Sequence, residues 1–287
     1  MQQIANFTQP ELERFKQVQA LAYEAVQTVE QQLHEGITEK QAAQMIADYL
    51  EERGVDSFFH KPFAWFGPRT AFTDFWSGFH FFPTDKKLTK GMPVILDVAP
   101  TVGGYTADIG YSFTFKAKSP VMDKMNETLA IIRRHILQEV KAGTDFADIY
   151  RSVDDIIAEN GFRNAHQVYP RRVLGHRVTK TKTTFYDRFN FLGFSLRQTQ
   201  WLLPELGKAL TKRDRGQSAL WNDLPESQHA PIPGTWAVEP HLASMDGQIG
   251  AKFEEILVIT ENDVYWLDDT VPHVLASRGK DLTSVAA

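Results

Sequence analysis

The feature that most restricts the fold is a repeated pair of glycines. Gly36 ends one amphipathic stretch and Gly54 ends the next; Gly143 and Gly161 end a second such pair, each 107 residues after its counterpart. Glycine after a helix is common, because the left-handed terminal conformation favours it, so one coincidence carries little. Two equal offsets with matching helices, and the local match of Glu35-Gly36-Ile37-Thr38-Glu39 with Ala142-Gly143-Thr144-Asp145, point to a duplicated helix-helix-strand unit. Two such halves around a shared sheet leave a cleft between them.

The elements follow from local patterns. A helix is predicted over 8–33: Thr8 and Glu11 make a capping box around Pro10, and Leu12, Phe15, Val18, Ala22, Val29 and Leu33 fit a 3.6-residue period. A second runs from Thr38 to Gly54 with Ala42, Met45, Ile46 and Leu50 inward. The stretch Phe58–Phe82 holds eleven Phe or Trp among 25 residues and is broken by Gly67-Pro68, which predicts short strands or long loops. Those rings either pack as core or line a pocket for an apolar or ring-bearing substrate. Met92–Phe115 reads as a β-hairpin turning near Gly103-Gly104. A third helix carries Met122, Met125, Leu129, Ile132, Ile136 and Val140 on one stripe, a fourth runs from Asp145 to Asn160, and strands resume at Thr235–Glu239 and Ala251–Thr260. Residues 177–225 have no clear period and read as an insertion or lid, and 277–287 as a loose polar tail.

Composition narrows the chemistry. The chain has 287 residues, a formal net charge of −5 and no cysteine. A disulfide framework, a zinc–thiolate site, an iron–sulfur cluster and a cysteine nucleophile are therefore excluded, and any metal must be held by His, Asp and Glu. The start, MQQIANFTQPELERF, has neither the basic end nor the apolar stretch of a signal peptide. No apolar run approaches the roughly 18 residues of a membrane span. A pI near 6.0 argues against a nucleic-acid partner. The expected setting is the cytoplasm, with no membrane contact.

Acids inside apolar runs are the candidates for function. Asp97 interrupts Val94-Ile95-Leu96-Asp97-Val98, and Asp108 lies just beyond the glycine turn. A hairpin symmetric about residues 102 and 103 sets the two opposite each other on one face. Carboxylates that close need a proton or cation between them; the alternative is a solvated strand end or an Asx turn. Glu239 follows Trp236-Ala237-Val238, and Glu254-Glu255 precede Ile256-Leu257-Val258-Ile259. With a two-residue period one of that Glu pair is buried or ligated, and spacing alone leaves open which. His176, in Leu174-Gly175-His176-Arg177-Val178, completes a set suited to a pair of hard or borderline divalent ions.

These residues resemble those of the pita-bread metallopeptidases, the family of methionine aminopeptidase, Xaa-Pro dipeptidase, aminopeptidase P and creatinase. The similarity covers nearly all of 10–270. It runs through Gly36-Ile37-Thr38-Glu39, His80-Phe81-Phe82-Pro83, Ile95-Leu96-Asp97-Val98-Ala99-Pro100, the Asp108 strand, Gly175-His176, Val238-Glu239-Pro240 and Phe253-Glu254-Glu255. The resemblance implies an α+β pita-bread fold, with one catalytic domain over 1–287 and pseudo-symmetric halves at 8–115 and 120–270. It also implies two divalent ions (manganese, cobalt, zinc or iron). Asp97 and Asp108 would serve the first, with Asp108 and Glu254 bridging; His176 and Glu239 would hold the second. Glu239 would also shuttle a proton, and His80 would hydrogen-bond the substrate or its leaving nitrogen. The implied reaction is hydrolysis of an amide-type C–N bond of a peptide or small amide by a metal-bridging hydroxide, since two cations lower the pKa of water from 15.7 towards neutrality.

Three departures bear on specificity. Arg177, Val178 and Thr179 follow His176 where the family has Gly-His-Gly-Ile-Gly. Arg177 either binds an anionic substrate group or points into solvent. No histidine occurs between His176 and His229, although the family has a second substrate-contacting one. The 63 residues from His176 to Glu239 exceed what compact members need, and Lys180–Trp201 within them is a lid, a dimer contact or a surface excursion. No separate N-terminal domain fits in this length, and a homodimer is one way to replace it. Three readings stand: an aminopeptidase or Xaa-Pro dipeptidase, a creatinase-like enzyme acting on a small molecule, and an inactive binding module. Five retained ligand positions argue against the last, because buried acids without a cation are costly.

Overall fold

The computed structural model describes residues 7–167, 172–180, 190–191, 194–195 and 219–278. Most of the 177–225 insertion, including most of Lys180–Trp201, and all but the first two residues of the 277–287 tail lie outside the described residues.

Helix α1 (Gln9–Gln32) begins where the sequence places it, with the Thr8 amide and hydroxyl both donating to Glu11 Oε2 at 3.0 and 2.9 Å. Pro10 fits because the first turn needs no backbone donor. Thr38 and Gln41 cap α2 (Glu39–Glu51) in the same reciprocal way. The second pair is α3 (Pro120–Ala142) and α4 (Phe146–Glu159). All four repeat glycines take positive φ: 88° at Gly36, 82° at Gly54, and 79° at both Gly143 and Gly161. The repeat thus corresponds to the same chain reversal made twice.

The strands, in chain order, are β1 (Ser57–Phe58), β2 (Phe63–Phe66), β3 (Pro93–Val98), β4 (Pro100–Val102), β5 (Tyr105–Thr106), β6 (Ile109–Thr114), β7 (Phe162–Asn164) and β8 (Gly175–Val178). Then come β9 (Asn190–Phe191), β10 (Phe194–Ser195), β11 (Leu220–Trp221), β12 (Gly234–Val238), β13 (His241–Ser244), β14 (Gly250–Lys252), β15 (Glu255–Ile259) and β16 (Val264–Trp266). Every pairing among them is antiparallel. The first half contributes β2-β3-β6 and β1-β4-β5, and the second contributes β14-β13-β7 and β11-β8-β12-β15-β16. Each half has its own core. Val26, Val29, Ile46 and Leu50 pack on Phe66, Val94, Leu96 and Ile109 in one; Met125, Ile132, Ile149 and Val153 pack with Trp221, Trp236 and Leu257 in the other. Ser112 Oγ joins the halves, donating to the Lys252 carbonyl at 2.7 Å while accepting from the Lys252 amide at 2.9 Å.

The hairpin register differs from the expectation. Val102 pairs with Tyr105, leaving a two-residue turn in which Gly103 and Gly104 both have positive φ (57° and 86°). That is the type I′ geometry whose twist matches the strands it joins. It sets Asp97 opposite Gly110, not opposite Asp108, which lies just before β6. The two acids still converge, but diagonally.

The aromatic stretch forms β1, β2 and two 3₁₀ turns, and it is mainly core: Phe63, Trp65, Phe72, Phe75 and Phe81 share one buried cluster. Glu39 anchors it. This fully buried carboxylate accepts from the Phe66 and Thr84 amides, the Thr84 hydroxyl and Arg69 Nε, at 2.6 to 3.0 Å. No described helix is long and apolar enough to cross a membrane.

Candidate metal centre

Each predicted acid is carried to the centre by a strand end. Asp97 sits near the end of β3, Asp108 precedes β6, Glu239 follows β12, and Glu254 lies between β14 and β15, bridged to Gly110. His176 on β8 pairs with Ala237 on β12. Helix α1 fixes the Glu254 segment from behind: Tyr23 Oη donates to the Glu254 carbonyl at 2.6 Å, and Gln19 Oε1 accepts from the Ile256 amide at 2.8 Å. Asp97, Asp108, His176, Glu239 and Glu254 are all buried, and the structure brings them together.

Two further groups lie among them. The ammonium of Lys252 donates to Asp97 Oδ2 at 2.7 Å, Glu254 Oε2 at 2.8 Å and Glu239 Oε2 at 2.9 Å. His60, between β1 and β2, places Nε2 3.0 Å from Asp108 Oδ1 and 3.3 Å from Asp97 Oδ1. His176 Nε2 lies 3.3 Å from Asp108 Oδ2 and 3.6 Å from Glu254 Oε1. The carboxylate oxygens are therefore divided, some turned to an ammonium and the others to two imidazoles. Phe63 stacks on His60 at 4.8 Å, and Phe59 on His176 at 5.4 Å. To that extent the aromatic stretch also walls the site.

The donor set fits a divalent ion. Ligand atoms of His60, Asp97 and Asp108, and separately of Asp108, His176 and Glu254, lie within 4.8 Å of one another. His60 Nδ1 lies 2.9 Å from the Lys61 carbonyl and His176 Nδ1 3.2 Å from that of Arg177. A ring that donates from Nδ1 presents its Nε2 lone pair inward, as metal-ligating histidines do.

Burial and mutual charge shift these groups strongly. Burial raises Glu254 to about 8, helped by the charges of Asp108 and Glu239. Asp97 is also raised by burial, against the pull of Lys252 and His60. Burial alone would raise Asp108, but His60 and His176 hold it well below the ordinary carboxylate range. Burial alone would raise Glu239, but Lys252, together with the neighbouring His166 and His176, lowers it. Against their own burial, the neighbouring acids raise Lys252 and His176 well above their usual values and His60 to about 9.

The remaining sequence candidates are placed elsewhere. His80 is half-buried on a 3₁₀ turn; its Nδ1 is 2.9 Å from Ser77 Oγ and its ring lies against Trp76 and Phe75, with no described contact to the acids. Arg177 alternates with His176 and faces the other side of β8. Its Nη2 donates to the Pro233 carbonyl at 2.7 Å and its guanidinium lies 5.3 Å over Trp236, so it neither lines the acid cluster nor points freely into solvent. The imidazole next to Glu239 is His166, 3.8 Å from Oε2; burial lowers its pKa to about 4, so it is neutral. His241, two residues after Glu239, is buried with Nε2 2.7 Å from the Thr70 carbonyl. Sequence reasoning missed His60, His166, His241 and Lys252. Only Lys252 left a signal, since it precedes Glu254 by two residues in an extended segment and shares its face.

A duplicated α+β scaffold holding an Asp, Asp, His, Glu, Glu cluster defines the pita-bread class. Solved structures agree on the fold. X-Pro aminopeptidase from Thermotoga maritima MSB8 matches with TM-score 0.65 and 18% identity, covering 91% of this chain and 61% of that one. Methionine aminopeptidase from Rickettsia prowazekii matches with TM-score 0.62 and 12% identity, covering 91% and 98%. The chain belongs to metallopeptidase family M24, whose model matches residues 13–194, more than half of it. Among curated relatives, the protein named "Putative dipeptidase YkvY" of Bacillus subtilis (strain 168) is 25% identical over 166 residues, 58% of this chain; the aligned stretch spans 43% of that relative's length.

Proposed function

We propose that this chain is a metal-dependent exopeptidase of aminopeptidase or Xaa-Pro dipeptidase type, hydrolysing an amide C–N bond at one end of a short peptide. The observation that carries this reading is the burial in one cluster of Asp97, Asp108, His176, Glu239 and Glu254, drawn from both halves of the chain. Asp108, His176 and Glu254, with His60 and Asp97 beside them, would hold the divalent metal. When bound, such an ion lowers the pKa of a water molecule and polarises the scissile carbonyl.

The protein's own groups supply the rest. Glu239 is ionised and has the most exposed side chain of the four acids, 9% against 4% or less, so it is the acid best placed to exchange a proton with substrate or water. That makes it the proton shuttle. Neutral His166 beside it would supply the hydrogen bond to substrate that the family resemblance implied for His80. Phe59 and Phe63 shield the two ligand imidazoles from water. The relatives' printed names, a dipeptidase and an X-Pro aminopeptidase, support a peptide substrate with a free terminus.

A second reading is C–N cleavage in a small non-peptide molecule such as creatine, because Arg177, Val178 and Thr179 follow His176 where the family has glycines, and no second histidine follows before His229. A panel of Met-, Ala- and Xaa-Pro peptides with creatine, each tested with Mn, Co, Zn and Fe, separates the two. Release of a terminal residue by a metal-loaded sample is the expected result. Turnover of creatine alone would move the assignment to the second reading, and no turnover of any substrate would reject both.

A further inference from the structure

We propose that this centre takes one divalent ion where its family's reading calls for two, with the ammonium of Lys252 standing in the place of the second. The inference rests on the metal-dependent reading above, but concerns only how many ions the residues can hold.

Lys252 is built into the centre. All three N–H donors of its ammonium are used, each on a different carboxylate: Asp97, Glu239 and Glu254. Its side chain is only 3% exposed. Its backbone is held on both sides by Ser112 Oγ. Its stem crosses the strand at Gly110, where a Cβ would come within 2.7 Å of Lys252 Cε and 3.1 Å of Cδ and Cγ. Gly110 does not have a positive φ; the requirement for glycine there is space, and what fills that space is the lysine.

The remaining oxygens describe one cation site. Asp97 Oδ1, both oxygens of Asp108 and Glu254 Oε1 turn away from the ammonium towards His60 Nε2 and His176 Nε2. Each imidazole is oriented by a carbonyl at its far nitrogen. A second ion would need Asp97 Oδ2, Glu239 Oε2 and Glu254 Oε2, the three atoms already bonded to Lys252, and would sit against a like charge in a buried site. His60 thus becomes a ligand from outside the predicted five, on the side that remains open.

The test loads the full chain with excess Mn(II), removes free metal, and measures bound metal by elemental analysis together with the Mn(II) electron paramagnetic resonance spectrum. The wild type is expected to hold about one ion per chain with an uncoupled signal, and Lys252→Ala about two with an exchange-coupled signal. His60→Ala is expected to weaken Mn(II) binding about 10- to 100-fold, which keeps the proposal open to refutation if Lys252→Ala fails to fold. Two coupled ions in the wild type, no bound ion, or unchanged affinity in His60→Ala would each overturn it. Peptide hydrolysis is scored separately. One bound ion without hydrolysis rejects the exopeptidase reading and leaves this inference standing; two bound ions with hydrolysis does the reverse.

Discussion

Asp108 and Glu255 show how differently two buried acids can be used. Asp108 faces His60 with one oxygen and His176 with the other, so it is shared by both clusters that could hold a metal ion. Asp108→Ala should therefore abolish metal binding and hydrolysis together, as metal titration and a peptide assay would show; activity without bound metal would contradict that role. Glu255, the alternative the sequence left open beside Glu254, is equally buried but faces the other way. It accepts from Arg133 Nε at 2.6 Å and Nη2 at 3.0 Å, and lies 2.7 Å from His273 Nε2. Glu255→Ala leaves the half-buried Arg133 with only the exposed Asp269 and takes the partner from His273, so denaturant unfolding should record a loss of about 1–3 kcal/mol, with metal content retained in the folded fraction. Although burial opposes ionisation, His273 and Arg133 hold the Glu255 pKa below its ordinary 4.5. Its stabilising contribution is thus complete above pH 4.5 and declines as the pH falls through the lowered value. The penalty of the substitution should shrink over the same acid range; a penalty constant with pH would count against the ion pair.

Among the elements, helices were the most legible. Their starts and stops are set by neighbours in the chain, such as Thr8 with Glu11, Thr38 with Gln41, and the glycines after α1 and α3. The hairpin was legible as a hairpin, yet its register depended on which two residues form the turn, and a type I′ turn on Gly103-Gly104 moves Asp97 opposite Gly110. His60 was hidden because it stands alone in an aromatic stretch, and only the fold brings it beside Asp97 and Asp108. Arg177 shows the strength of strand parity: adjacent to His176 in sequence, it lies on the opposite face in space. Gly36 and Gly143 give a test at this scale. Both have positive φ and open space around the missing Cβ, so Gly36→Ala and Gly143→Ala should each cost about 1 kcal/mol, for backbone conformation alone. The penalties should add in the double variant, since the sites belong to different cores. A large difference between the two would mean the halves are not equivalent at these turns.

Across the whole molecule, two helix-backed cores meet at Ser112 and Lys252, with the acids placed along that junction. Asp97 and Asp108 come from the first half, and His176, Glu239 and Glu254 from the second, so the centre exists only when both are folded and docked. Metal binding should then stabilise the entire fold. An ion present at 100 times its Kd adds about 2.7 kcal/mol if it binds only the native state. Thermal unfolding with Mn(II) and then with chelator should differ accordingly; an unchanged Tm would mean the ion is not held between the halves. The most direct test is anomalous diffraction at the manganese edge from crystals of the metal-loaded chain. A peak bounded by Asp108, His176 and Glu254 is expected, whereas density confined to surface carboxylates, or none at the junction, would contradict a metal held between the halves.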